Sequence, residues 1–261
     1  MQAERLRIKV VGHELAVLRL RLPAPSRHPP LLFLHEGLGS IAQWKDFPSA
    51  LCARLGCEGI VFDRLGHGRS DPAVLPRTPT YLHEAAGTVL PALLDALAVP
   101  RAALLGHSDG GSIALLFAAV APERTAALVT EAAHVMVEEI TLAGIRAAGA
   151  AYATTDLPRR LARYHGEKTE ALFYAWRDTW LSPAFRGWNI EAALPAIRAP
   201  LLVIQGEADE YGSPAQVEAI ARGTGGPVER LLIPGCGHNP HQEARMLVLE
   251  RAAAFLGGAA G

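Results

Sequence analysis

Three short segments of this chain carry residues that could do nucleophilic chemistry together. Gly106-His107-Ser108-Asp109-Gly110 places a serine between two glycines, after the apolar run 102–105 and before the apolar run 113–120. A strand that runs straight into G-x-S-x-G and then into a helix is the setting of a nucleophile elbow, where a sharp turn lifts the serine side chain clear of the sheet. Glycines on either side carry no Cβ, so the strand and helix backbones can approach closely there. At the start of the following helix, the backbone N–H groups and the helix dipole favour a developing negative charge. Ser108 is the candidate nucleophile.

A serine hydroxyl needs a base within hydrogen-bond reach, and that base is oriented in turn by a carboxylate. Two later loops can supply them, each following an apolar, strand-like run: Gln205-Gly206-Glu207-Ala208-Asp209-Glu210 and Gly235-Cys236-Gly237-His238-Asn239. His238 is the candidate base, because imidazole alone among the local side chains titrates near neutral pH. Asp209 is the candidate carboxylate by its spacing from the preceding strand, with Glu207 and Glu210 as near neighbours. His35, His67, His107, His134, His165 and His241 read as structural or solvent-facing, His67 in a glycine-bounded turn.

The elements that must position these residues follow from the periodicity. Residues 6–11 and 15–22 alternate apolar and polar side chains around Gly12-His13, the pattern of a half-exposed antiparallel hairpin. Leu31-Leu32-Phe33-Leu34 reads as a strand buried on both faces. A helix over 46–55, with Pro48 in its first turn, and a strand at 59–63 complete a βαβ unit. Further on, the pattern predicts a helix over 81–97 that Pro91 should kink, strands at 102–105, 126–130, 201–204 and 228–233, a helix at 213–221 capped by Ser213, and a closing helix at 241–256. Between 134 and 195 the strand–helix rhythm stops. That stretch reads as helical and holds half of the chain's aromatics, Trp176, Trp180 and Trp188 among them. The expected fold class is α/β, a mostly parallel sheet with helices on both faces. Residues 1–133 and 196–261 make the core, and 134–195 an inserted helical cap whose aromatics either form its own core or, the reading preferred for an insertion at the strand ends, line a cleft against the sheet.

Composition narrows the partners. With 261 residues, half of them apolar, and a formal net charge of −1, the chain can bury a large core and has no basic footprint for nucleic acid. Cys52, Cys57 and Cys236 form no C-x-x-C pair and leave one odd, which suits a reducing compartment. No signal-peptide core opens the chain and no run of about 18 apolar residues follows, so the expectation is a cytoplasmic protein with no membrane partner. There is no H-E-x-x-H and no Cys/His set with zinc spacing, so neither a metal nor a cofactor is expected. A small-molecule substrate is, and a homo-oligomer is compatible with the sequence. Gly37-x-Gly39-x-x-Ala42 after a buried strand, with Asp63 ending the next one, imitates a dinucleotide fingerprint. His35 and Glu36 between strand and glycines spoil that match, and an NAD-dependent oxidoreductase would leave the elbow and His238 unexplained.

Taken together the motifs resemble the α/β-hydrolase superfamily along essentially the whole chain. His35 to Gly39 resembles its oxyanion loop, Asp63 to Ser70 its D-R-x-G-x-G-x-S loop, and Gly106 to Gly110 its elbow; Gly206 to Asp209 and Gly237-His238 resemble its acid and base loops. The chain order Ser108, Asp209, His238 is that of the family's triad. The resemblance implies Ser108 as nucleophile, His238 as base and then acid, and Asp209 as orienting carboxylate. Glu131 is a rival acid, since some members place it there. The N–H groups of Gly37 and Asp109 would form the oxyanion hole. Glu36 departs from the family's usual glycine after the loop histidine, and is expected to point away or to pair with a cation such as an arginine. With Leu38, Trp176 and Trp180 it is a candidate substrate contact. The function implied is hydrolysis of a small apolar or aromatic carboxylic ester through an acyl-enzyme. A C–C bond hydrolase of ring-cleavage products, a lactonase, a thioesterase or a perhydrolase would use the same machinery, and a non-catalytic ligand-binding protein the same fold.

Overall fold

The strand β1 (Gln2–Val10) turns into β2 (His13–Arg21) through Val11 and Gly12, both at positive φ. That is the geometry of a two-residue hairpin turn matched to strand twist. The computed structural model describes residues 1–26 and 28–259. β2 continues antiparallel onto β4 (Gly59–Phe62), and from there the sheet is parallel: β3 (Leu31–Leu34), β5 (Ala102–His107), β6 (Thr125–Glu131), β7 (Leu201–Gly206) and β8 (Val228–Ile233), in the order β1-β2-β4-β3-β5-β6-β7-β8.

The short apolar strands are buried on both faces, and period-two alternation sends neighbouring side chains to opposite layers. Leu32, Leu34 and Leu104 join one core with Ile113, Phe117 and Leu128, while Leu31, Phe33 and Leu105 join the other with Leu51, Val129 and Leu249. Helices α1 (Phe47–Leu55) and α10 (Arg245–Ala259) cover the second layer; α4 (Asp109–Val120) covers the first and is buried nearly all round.

Two expected helices are built differently. The predicted helix over 81–97 comprises α2 (Tyr81–Glu84), a π-helical turn at Ala85–Val89 and α3 (Leu90–Ala96). The wider turn before Pro91 absorbs the missing N–H and the crowding against the preceding carbonyl, so the chain stays helical. The closing helix is broken at Ala244 into α9 (Pro240–Glu243) and α10. α8 (Pro214–Gly223) is capped as its sequence suggests, with the Ser213 side chain accepting from Ala215 N–H. Between β6 and β7 lie α5 (Glu139–Thr154), α6 (Leu157–His165) and α7 (Thr169–Leu181). Among the described residues no helix is long and apolar enough to cross a membrane.

The tightest approach in the fold is at the end of β5. A Cβ on Gly110 would lie 2.1 Å from the Leu34 carbonyl oxygen, and one on Gly106 would lie 2.2 Å from the Gly110 carbonyl oxygen. α4 therefore starts against the ends of β3 and β5, backbone on backbone. Gly110→Ala should lower the unfolding free energy by about 1–3 kcal/mol or more, the cost of forcing a core apart. Gly87, exposed in the π-helical turn with nothing near its absent Cβ, should gain about 0.4–1 kcal/mol on replacement by alanine. Urea unfolding of the two variants reads both signs.

Candidate active site

Ser108 sits at the turn between β5 and α4 with φ 53° and ψ −118°, a strained conformation for a residue with a side chain. The surroundings enforce it. Its N–H donates to Glu131 O at 2.8 Å, and its own carbonyl accepts the first helical bond, from Ser112 N–H, at 3.0 Å. Ser108 Oγ lies 3.0 Å from His238 Nε2, and His238 Nδ1 donates to both carboxylate oxygens of Asp209, at 2.8 and 2.9 Å. Asp209 also accepts from the Gln205 side-chain amide and from the N–H groups of Tyr211 and Gly212. These bonds hold the carboxylate in one orientation. Burial pushes its pKa up, but the bonds from His238 and Tyr211 outweigh that and leave it below the usual carboxylate range.

Glu131, the rival acid, is engaged elsewhere: its Oε2 accepts from the N–H and the Nδ1 of His241. Glu207 and Glu210 make no hydrogen bond to His238; the three residues the geometry brings together are Ser108, His238 and Asp209. His107 has a place as well, because its Nε2 donates to the His238 carbonyl at 2.7 Å and holds that backbone from behind.

The loop after β3 is pinned by its own His35 and by side chains from two other segments. The Glu36 carbonyl accepts from Arg64 Nη2 (2.7 Å) and His35 Nδ1 (2.8 Å), the Gly37 carbonyl from His67 Nε2 (3.0 Å), and the Leu38 carbonyl from His165 Nε2 (2.8 Å). In a trans peptide the N–H points opposite to the C=O. With Glu36 O held toward Arg64 and His35, the Gly37 N–H faces the other way. Gly37, Asp109, Ser108 and His238 line one cavity of about 290 Å³, together with Glu36, Leu38, Trp176 and Trp180.

Residues 29–189 match the family model of the α/β hydrolase fold, more than half of the chain. The chain belongs to the α/β-hydrolase family. It is 31% identical over 100 residues to an sn-1-specific diacylglycerol lipase of Danio rerio, covering 38% of this chain and 30% of that one. To the dihydrolipoyllysine-residue acetyltransferase component of an acetoin cleaving system of Pseudomonas putida it is 41% identical over 99 residues, 38% of this chain and 25% of the relative. The match thus spans about a third or less of the length of these curated relatives. Carboxylesterase CesB of Bacillus subtilis superposes with a TM-score of 0.71 at 21% identity, over 99% of this chain and 93% of that one, a likeness of fold.

In this α/β-hydrolase, Glu36 does neither thing expected of it. Its carboxylate turns back to accept from the Leu38 N–H and lines the cavity, while the arginine nearby takes its backbone carbonyl. Arg64 makes its ion pair elsewhere, with Asp109 Oδ2 at 3.3 Å. Burial raises the Glu36 pKa above the usual carboxylate range, against the Leu38 N–H bond that favours the anion.

Two residues that the sequence did not single out, Tyr81 and Arg64, help tie α7 to the elbow. Trp180 Nε1 donates to Tyr81 Oη (3.0 Å), and Tyr81 Oη donates to Asp109 Oδ2 (2.9 Å), the atom Arg64 also holds. Trp176 explains why residue 37 is glycine: a Cβ there would lie 2.5 Å from the indole Nε1. A buried Asp directly after the serine was the available signal that a cation and a donor must lie nearby; His165 gave none.

His165 joins α6 to two core loops, its Nδ1 accepting from Gly68 N–H while its Nε2 donates to Leu38 O. A ring so bonded must be neutral, and burial lowers its pKa, as it lowers those of His35, His67, His107 and His134. The sign follows directly. Below the unfolded value of about 6.5 the unfolded chain binds more protons than these rings do, so the stability they contribute is present above that pH and is lost as pH falls toward their folded values. His238, raised, acts in the opposite sense. Urea midpoints should fall from pH 7 to pH 5. In His165→Gln, whose amide can donate and accept at the same places without titrating, the fall should be shallower by up to about 1.4 kcal/mol per pH unit.

Proposed function

We propose that this α/β-hydrolase is a serine hydrolase that cleaves a small, apolar or aromatic carboxylic ester through an acyl-enzyme, with residues 134–195 serving as a helical cap over the substrate. The reading rests above all on the chain Ser108 Oγ, His238 Nε2, His238 Nδ1 and Asp209, each step within 3.0 Å, opening on the cavity that holds Gly37 and Asp109. Two proteins it resembles, the diacylglycerol lipase and the carboxylesterase, are named for ester hydrolysis.

His238 takes the Ser108 proton as Oγ attacks the ester carbonyl, and the N–H groups of Gly37 and Asp109 receive the oxyanion of the tetrahedral intermediate. Collapse expels the alkoxide, which takes the proton from His238. Water, deprotonated by His238, then attacks the acyl-enzyme, and the acid leaves as Ser108 regains its proton. The walls suit an apolar substrate: Leu38, Ile145, Leu161, Trp176 and Trp180 line them.

A small fluorophosphonate should give one stoichiometric adduct, mapping to Ser108, by intact-protein mass and peptide mapping. Ser108→Ala should lose on the order of a million-fold in kcat on a short-chain 4-nitrophenyl ester; retained turnover would overturn the assignment.

The pH profile carries a second test. Burial alone would lower the His238 pKa, but the bond and charge of Asp209 win, so it lies above the ordinary imidazole value. The base must be unprotonated, so kcat/KM should rise with pH through an inflection above about 6.5. Asp209→Asn should move that inflection down as well as slow the reaction.

A further inference from the structure

A second cavity, of about 320 Å³, lies beside α2 and shares no lining residue with the catalytic one. Arg64 and Tyr81, which both bond Asp109, stand between the two. Its walls are mostly apolar, from Leu34, Phe62, Val89, Leu90 and Ile113, and its rim includes the exposed Val74. Into this apolar space come two guanidinium groups.

Their donors are not used up. Arg64 is only 7% exposed, and its Nε is buried with no hydrogen-bond partner; Nη1 of Arg77 is also buried and unpartnered among the described residues. Arg64 has its counter-charge in Asp109. Arg77 makes no ion pair among the described residues and lies only over the Tyr81 ring, at 5.1 Å from its centroid, a contact that leaves its N–H groups unbonded. Glu84, an exposed anion at the edge of the same cavity, is held by the hydroxyls of Thr78 and Thr80, which both donate to its Oε1. The cavity is therefore lined by a guanidinium, Arg77, that has no ion pair among the described residues, and two unpaired N–H donors are buried in its walls, a costly arrangement unless an anion completes it.

We propose that this second cavity binds an apolar monocarboxylate, with its carboxylate on Arg77 and Arg64 and its hydrocarbon body against Phe62, Val89, Leu90 and Ile113. The fork of a guanidinium matches the two oxygens of a carboxylate. The apolar walls select an acid with a hydrocarbon tail over inorganic phosphate, and the volume is at the small end for a ligand site. On the ester-hydrolase reading, the acid released at Ser108 belongs to this class. The binding itself does not depend on that reading.

The test is isothermal titration calorimetry of the whole chain with octanoate and, separately, with octanamide, which reads binding whether or not Ser108 is a nucleophile. Octanoate should bind one per chain. Octanamide should bind at least tenfold more weakly, and Arg77→Gln should weaken octanoate by at least tenfold. Ala85→Phe, which fills the second cavity, should abolish binding, and Ala148→Phe, which narrows the catalytic one, should leave it unchanged. Equal affinity for acid and amide, wild-type affinity in Arg77→Gln, loss in Ala148→Phe instead of Ala85→Phe, or no heat up to about 10 mM octanoate would each overturn the proposal.

Discussion

A Cβ on Gly110 would come 2.1 Å from the carbonyl oxygen of Leu34, and that backbone approach is what the site is built around. It lets α4 begin at the very ends of β3 and β5, and it forces Ser108 into the turn with φ 53°. The strain is held by bonds on both sides of the residue, from Ser108 N–H to Glu131 O and from Ser112 N–H to Ser108 O. The parallel register then sets the rest. β3, β5, β6 and β7 end side by side, so the loops carrying Glu36, Ser108 and Asp209 converge at one edge, and the loop after β8 brings His238 into reach.

Around that turn, neutral histidines do structural work. His35, His67 and His165 each bond a backbone carbonyl of the loop 36–38, and His107 bonds the carbonyl of His238. In His35 and His165 the other ring nitrogen accepts a backbone N–H, so those rings are uncharged, and burial holds the pKa values of all four down. His238 differs in one respect: a carboxylate bonds its Nδ1, and that charge turns the shift upward against the same burial.

The helices between β6 and β7 are joined to this machinery through polar atoms as well as apolar contact. Trp180, Tyr81, Asp109 and Arg64 make one continuous chain of hydrogen bonds from α7 to the residue after the serine, and Lys168 donates to the carbonyls of Gly68 and Ser70. Trp176 lies so close over Gly37 that the loop can carry no side chain there. Movement of α7 would thus be felt at both Gly37 and Asp109.

How much of this could be read from the residues divides along physical lines. The strands, the elbow with its two glycines, and the succession of Ser108, Asp209 and His238 were legible, because period-two burial, glycine's missing Cβ and turn chemistry are local properties of a short stretch. Helix interruptions at 85–89 and 244 were not, since they answer to packing around Pro91 and α9. Within the site, the sequence by itself determined which residue types could serve. Only the tertiary structure set Asp209 on His238 and Glu131 on His241, turned Glu36 into the cavity, and placed Arg64 on Asp109 and Arg77 beside a second cavity. Those outcomes rest on contacts between residues tens to more than a hundred positions apart, whose energies depend on loop geometry and burial that no local propensity encodes.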